Sequence, residues 1–311
     1  MALVFKESSH ISEEIKALPC FVNHLCEVER VTGGESHACF KVTLSKNDGE
    51  VCYFVKSFSG HQETAKAEVS VNLLAAEAGL APAIIYYSPL WLVCEFIYGD
   101  SLAKFTAEKM SLSSNEKIRI AMHLMVKAHQ LIHPQHHRVL HIEKLLSNQV
   151  TNTKTTELQR RLLRETIKKI IPLQRPNNNV VLCHGDVNYE NIRLSDSFNK
   201  EYLLENSWLV DYECSFLAEV EYDIAMFIAV NTLSIKEVNA VIEQYTRFSN
   251  RRIDNKKVHA YLACCYLING LWYVEAASEH NETQKLINMA REQLVLFDQL
   301  ALIKQKVASF F

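Results

Sequence analysis

The chain lacks an excess of positive charge, a membrane-length apolar run and an ordered set of cysteines, and each absence removes a class of protein. Lys and Arg number 33 against 36 Asp and Glu, a net charge of −3, whereas a nucleic-acid surface needs a clearly basic face. Runs such as Arg160-Arg161 and Lys168-Lys169 read as the solvated side of a helix. The longest apolar stretch, Tyr261 to Ile268, is cut by Asn269 and Gly270 and followed by Glu275. It falls short of the roughly 20 residues a membrane span requires and reads as a buried helix, so no membrane insertion is expected. Nine cysteines, an odd number with no Cys-x-x-Cys pair, offer neither a disulfide framework nor zinc spacing, as befits a reducing cytoplasm. His133, His136, His137 and His141 lack His-x-x-x-His placement within a predicted helix and are not taken as a zinc site. Met1 to Glu7 lacks the basic segment and apolar core of a secretion signal, so the expected location is cytoplasmic. No internal repeat or low-complexity linker is present.

What is present is a constellation of acidic and amide residues in a chain of 311 residues, long enough for two lobes sharing a cleft. Val180 to Cys183 reads as a buried strand that delivers His184-Gly185-Asp186. A carboxylate at the open end of that strand can orient an alcohol and accept its proton. Asn191 lies five positions later, where its amide oxygen can bind a divalent cation. Ile192 to Leu194 and Trp208 to Val210 read as a further pair of short strands, so Asp211 emerges beside Asn191 as the charged metal ligand. Taken singly, Asp186 and Asp211 are ordinary turn residues; taken together they suit a cleft that holds metal-bound ATP against a hydroxyl.

Upstream, Val28 to Thr32 and Ala38 to Leu44 are strand formers flanking Gly33-Gly34-Glu35-Ser36. Paired glycines let backbone amides approach an anion closely, although the same pair also makes a plain hairpin turn. Asn47-Asp48-Gly49 signals a second hairpin. The strand it opens, Val51 to Phe58, carries Lys56 as its lone charge, and Glu68 follows on a helix predicted from about Gln62 to Ala78. Lys56 and Glu68 can pair across the sheet face, or stand as an edge lysine and an exposed helix charge. Gly79 to Pro82 stops the helix, and Ala83 to Tyr87 and Trp91 to Ile97 complete five strands. Further on, apolar positions recur at helical spacing from Ser114 to His133, with Met122 and Met125 as core residues and His129 as a structural histidine. Residues 142 to 175 read as two more helices.

His184-Gly185-Asp186, Asn191 and Asp211 resemble the catalytic and metal-binding loops of the aminoglycoside phosphotransferase and choline kinase superfamily. The resemblance implies an α+β, protein-kinase-like two-lobed fold, with residues 1–98 as the nucleotide-binding lobe and 99–311 as the catalytic and substrate-binding lobe. It implies ATP and Mg2+ as cofactors and a small-molecule alcohol as acceptor. Asp186 becomes the catalytic base, Asn191 and Asp211 the metal ligands, and Lys56, positioned by Glu68, the grip on the phosphates. Gly33, Gly34 and Ser36 match the nucleotide loop. Glu95, Phe96 and Ile97 match the hinge whose backbone meets the adenine. Asp223, in Tyr222-Asp223-Ile224-Ala225, matches the aspartate that braces the catalytic loop.

Tyr266 to Ala277 resembles a helix of choline and ethanolamine kinases, with Gly270, Leu271 and Trp272 as the matching residues. An aromatic face attracts a quaternary ammonium, so Trp272 is expected to wall the acceptor site unless it is simply a core aromatic. Glu213 is expected to add a carboxylate there, helped by Glu219 and Glu221. The chain departs from the pattern at three places: Asn269 replaces the first tryptophan of that helix, Glu190 replaces a glycine before Asn191, and His37 replaces an asparagine. The expected acceptor is a cationic alcohol of the choline or ethanolamine type, then thiamine, then an aminoglycoside or sugar. An inactive nucleotide-binding pseudokinase is the alternative of another class, and a homodimer is compatible with either. No Ala-Pro-Glu segment follows Asp211, which argues against protein substrates.

Overall fold

A computed structural model describes residues 10–31, 37–46, 49–60, 62–104, 112–135, 137–175, 180–196, 204–278, 283–304 and 306–311. The N-terminal part is a five-stranded antiparallel sheet in the order β1-β2-β3-β5-β4: β1 Cys26–Val31, β2 Cys39–Lys46, β3 Gly49–Ser57, β4 Ile84–Tyr87 and β5 Trp91–Glu95. A short helix, α1 (10–16), and the turns after it put Ile15, Leu18 and Phe21 against Phe40, Val42, Leu44, Val55 and Val93 on one face. The other face receives α2 (Gln62–Glu77), through Ala65 and Val69 against Phe58 and Leu92. Successive strand side chains alternate between faces, so with Val55 on the α1 side, Lys56 faces α2. Gly79 (φ +66°) ends α2 in the left-handed conformation, a common helix terminator.

The strand expected to reach Ile97 ends at Glu95 because the chain there leaves β3 and joins another pairing. Leu102 N–H donates to Ile192 O at 2.8 Å, Leu194 N–H to Asp100 O at 3.0 Å, and Asp196 N–H to Tyr98 O at 2.9 Å. The connector thereby runs alongside β7 (Ile192–Leu194). Gly99 sits at φ +138°, and a Cβ there would lie 1.9 Å from Leu194 O, so only glycine lets the two segments meet.

The remainder is mainly helical: α3 Ser114–His129, α4 Ile142–Asn152, α5 Glu157–Ile170, α6 Val220–Val230, α7 Ile235–Ser249, α8 Asn255–Ala277 and α9 Thr283–Gln299. A capping box of Ser113 and Glu116 starts α3. The helix stops at His129, with Gln130 as its C-cap, and does not reach His133, where the following Pro134 disfavours helical backbone. Residues on α8 from Tyr261 to Ile268 are buried all round, so this apolar stretch is a central helix of the core. Among the described residues no helix is long and apolar enough to cross a membrane. Two short antiparallel strand pairs complete the fold. β6 (Val180–Cys183) pairs with β9 (Phe216–Glu219), and β7 pairs with β8 (Ser207–Leu209) in the register Ile192↔Leu209.

Candidate active site

β6 ends in His184 and Gly185, whose amides donate to Asp223 Oδ2 at 3.0 Å and Oδ1 at 2.8 Å. Gly185 sits at φ +79°, with Cys214 O only 2.3 Å from where a Cβ would be, so the loop can turn here only through glycine. The His184 ring lies in the turn: its Nδ1 accepts from Asp186 N–H at 3.2 Å and its Nε2 lies 3.0 Å from Val210 O. An accepting Nδ1 requires the proton on Nε2, which then donates to Val210. Burial disfavours the imidazolium and lowers the pKa, in keeping with that neutral form.

Asp223 itself is fully buried at the start of α6. Burial opposes its ionisation, but hydrogen bonding and charge from His129, together with His184 and the Gly185 amide, outweigh that and hold it below the usual carboxylate range. His129 Nε2 lies 2.9 Å from Asp223 Oδ2, and Tyr245 OH lies 2.7 Å from His129 Nδ1. Three helices, α3, α6 and α7, therefore converge on the loop that carries Asp186.

Asp186 receives Asn188 Nδ2 on both oxygens, at 3.1 and 3.0 Å, and Asn191 Nδ2 on Oδ2 at 3.0 Å. Its pKa is pushed up to about 7, first by burial; the Asn188 and Asn191 hydrogen bonds pull it down, and the charges of Asp211 and Glu213 push it further up. A carboxylate that titrates near neutrality is suited to accept a hydroxyl proton. With its Nδ2 held by Asp186, Asn191 has Oδ1 as the side-chain atom with lone pairs to offer a cation. The β7–β8 pair and a bond from Val210 N–H to Asn191 O (2.9 Å) bring Asp211 alongside. Asp211 adopts φ +69°, a backbone region uncommon outside glycine that recurs at functional sites.

Lys56 reaches from β3 into this acidic group. Its Nζ lies 2.7 Å from Glu68 Oε1, 2.8 Å from Asp211 Oδ1 and 3.2 Å from Glu213 Oε2. Burial would lower its pKa, but the three carboxylates, Asp211 first, raise it well above the ordinary lysine range, so it stays charged. Glu213 also meets His37 Nδ1 at 2.9 Å. Despite burial, the His37 hydrogen bond and the Lys56 charge hold the Glu213 carboxyl down at about 2. Asp186, Asp211, Glu213 and Glu68 outnumber the cations among them, which leaves the cleft negative.

Not every expected site residue is seen in this group. Gly33, Gly34 and Ser36 lie outside the described residues. The Glu95 amide, at the end of β5, donates to Ala83 O, and the Phe96 amide, just past the strand, donates to Cys52 O; Ile97 is the next residue along the connector. Glu213 turns toward Lys56 and His37 on the small sheet. Glu219, expected to attract a cation, is instead a core residue: Lys257 Nζ lies 2.5 Å from one oxygen and Tyr261 OH donates to the other at 2.6 Å. Both Glu219 and Lys257 are buried, and a buried carboxylate requires such partners. Glu221 accepts from Asp254 N–H at 3.4 Å. Trp272, 41% exposed on α8, meets the Tyr273 ring edge-on at 5.2 Å and no member of the acidic group. Asn269 donates to Gln293 Oε1 at 3.4 Å. Sequence reasoning missed Asn188 as a donor to Asp186, for which its position two residues later was the available signal, and Tyr245, for which there was none.

A lysine–carboxylate–amide cleft between an antiparallel sheet and a helical body defines a phosphotransferase of the small-molecule kinase class. The choline/ethanolamine kinase family profile matches residues 28–300, and the chain belongs to that family. A choline/ethanolamine kinase family protein from Mesorhizobium loti is similar in structure at 17% identity, with 97% of each chain covered and a TM-score of 0.69. Choline kinase from Cryptosporidium parvum Iowa II is similar at 15% identity, covering 94% of this chain and 95% of its own, TM-score 0.68. Spectinomycin phosphotransferase, in complex with ADP and spectinomycin, is similar at 13% identity with 91% of each chain covered and a TM-score of 0.57. No curated protein sequence matches the chain.

Proposed function

We propose that the protein transfers the γ-phosphate of ATP to a hydroxyl of a small cationic alcohol of the choline or ethanolamine type. The observation that carries this reading is the meeting of two hydrogen-bonded groups from segments remote in sequence, Lys56 with Glu68 and Asp211 and Asp186 with Asn191, joined by the bond from Val210 N–H to Asn191 O. There Asp186 orients the hydroxyl and takes its proton, while Lys56, steadied by Glu68, holds the phosphates. Residues to 98 serve as the nucleotide lobe and those from 99 as the catalytic and acceptor lobe, with Ile97 at the adenine edge.

The donor set suits magnesium: Asp211 and Asn191 present hard oxygen ligands beside each other. Bound there, the ion would neutralise charge on the phosphates. Glu213, paired with Lys56 and His37, acts on the phosphate side of the cleft rather than on the acceptor. Trp272 remains the candidate aromatic wall for the acceptor. The Asn269–Gln293 bridge, where relatives carry a further tryptophan, favours an ammonium that donates hydrogen bonds over a quaternary one.

The test is ADP release with choline, ethanolamine, thiamine, an aminoglycoside and a sugar, with Asp186→Ala as control. Acceptor-dependent release is expected, strongest with a primary amino alcohol and lowered by about 10²–10⁴-fold in the variant. Metal-dependent ATP binding without transfer to any acceptor would instead identify an inactive nucleotide-binding protein.

A further inference from the structure

Glu190 precedes Asn191 on the catalytic loop and replaces a glycine of the family pattern, and its side chain is built into the structure. Ser101 Oγ donates to Glu190 Oε2 at 2.6 Å. Ser101 is fully buried on the connector, and its Oγ in turn accepts from Lys104 N–H at 3.3 Å, so the hydroxyl proton is directed at the carboxylate. Lys104 Nζ stands 3.9 Å from the same oxygen. Both contacts fall on Oε2; among the described residues Oε1 has no partner, and the side chain is 55% exposed.

On the proposed reading, a nucleotide would have its base at the end of β5 near Ile97 and its phosphates at Lys56 and Asp211, and its ribose would then cross between the connector and the loop that ends at Asn191. Ala103 N–H donates to Tyr189 O at 3.1 Å and Leu102 N–H to Ile192 O at 2.8 Å. These bonds fasten the two segments together on either side of Glu190. We infer that the Glu190 carboxylate, held by Ser101, accepts hydrogen bonds from the ribose hydroxyls and makes this kinase selective for ribonucleotides. The inference rests on the reading of the cleft as a nucleotide site.

Calorimetric titration of the whole protein with ADP, 2′-deoxy-ADP and 3′-deoxy-ADP tests it without any acceptor. The wild type should bind ADP about tenfold more tightly than at least one deoxy form, the range of a hydrogen bond to a charged group. Glu190→Gly should abolish that preference by weakening ADP alone, Glu190→Gln should retain part of it, and Ser101→Ala should give an intermediate ratio. Equal affinities in the wild type, or a preference that survives in Glu190→Gly, overturns the inference. If ADP binds selectively yet no acceptor is phosphorylated, the proposed transfer fails while the ribose contact stands. If ADP does not bind, both fail.

Discussion

Removing the two hydrogen bonds that Asn188 makes to Asp186 should move the acid limb of the pH–rate profile upward. Asn188 has two jobs: Nδ2 donates to both Asp186 oxygens, and Oδ1 accepts from Asn191 N–H at 2.9 Å, capping the single turn Tyr189–Asn191. Asn188→Ser retains an oxygen for that cap, since serine serves well there, and removes only the donors to Asp186. A hydrogen bond to a charged group contributes about 1.5–3 kcal/mol. Asp186 is partly open to solvent, so the lower end applies, about 1.5 kcal/mol, which corresponds to about one pH unit. In the proposed mechanism the reactive form is the carboxylate, so kcat/KM should rise with pH through about 7 in the wild type and through about 8 in Asn188→Ser. The assay is coupled ADP release across the neutral range at subsaturating substrate, with a thermal melt to show that the variant is folded. An acid limb that stays in place or moves down in a folded variant would refute the assignment of Asp186 as the titrating base.

The same raised pKa predicts a stability effect. Between roughly pH 4 and 7 native Asp186 keeps a proton that the unfolded chain has lost, so stability falls as pH rises across that window. Asp186→Asn should therefore raise Tm by a few degrees more at about pH 8 than at about pH 5; equal gains at both would show that burial of the charge is not responsible. Lys56→Met leaves Glu68, with 2% of its side chain exposed, without its cation. Losing one partner of a buried pair costs about 3–5 kcal/mol, so calorimetric Tm should fall by several degrees and ADP affinity should weaken; an unchanged Tm would mean the pair is not formed. Glu219→Gln should lower Tm while leaving the acceptor KM within about twofold, because the carboxylate serves Lys257 and Tyr261 in the core. A KM increase of about tenfold or more would return Glu219 to the acceptor site.

Legibility in the sequence followed the range of the interaction. Regular strand and helix patterns located Lys56 on a strand and Glu68 on the following helix, and the family resemblance, with the alternative of two unpaired charges still open, suggested that they meet. The β7–β8 hairpin put Asp211 beside Asn191 for the same local reason. Glu219 was misread because its partner comes from α8, 38 residues away, and no local pattern distinguishes a buried acid with a distant lysine from one that faces a ligand. The strand expected through Ile97 was cut short by the connector's pairing with β7, another contact between distant segments.

By itself, then, the chain's order of residues determined the elements, the family motifs and which groups have chemistry suited to phosphoryl transfer, since these depend on local propensity and side-chain type. Only the folded structure decided how charge is shared: that Lys56 faces three carboxylates at once, that Glu213 turns to His37 and the small sheet, and that Asp186 titrates near neutrality. Those outcomes depend on burial and on separations of a few ångströms between remote segments, because electrostatic energy varies with distance and local dielectric, neither of which a linear sequence specifies.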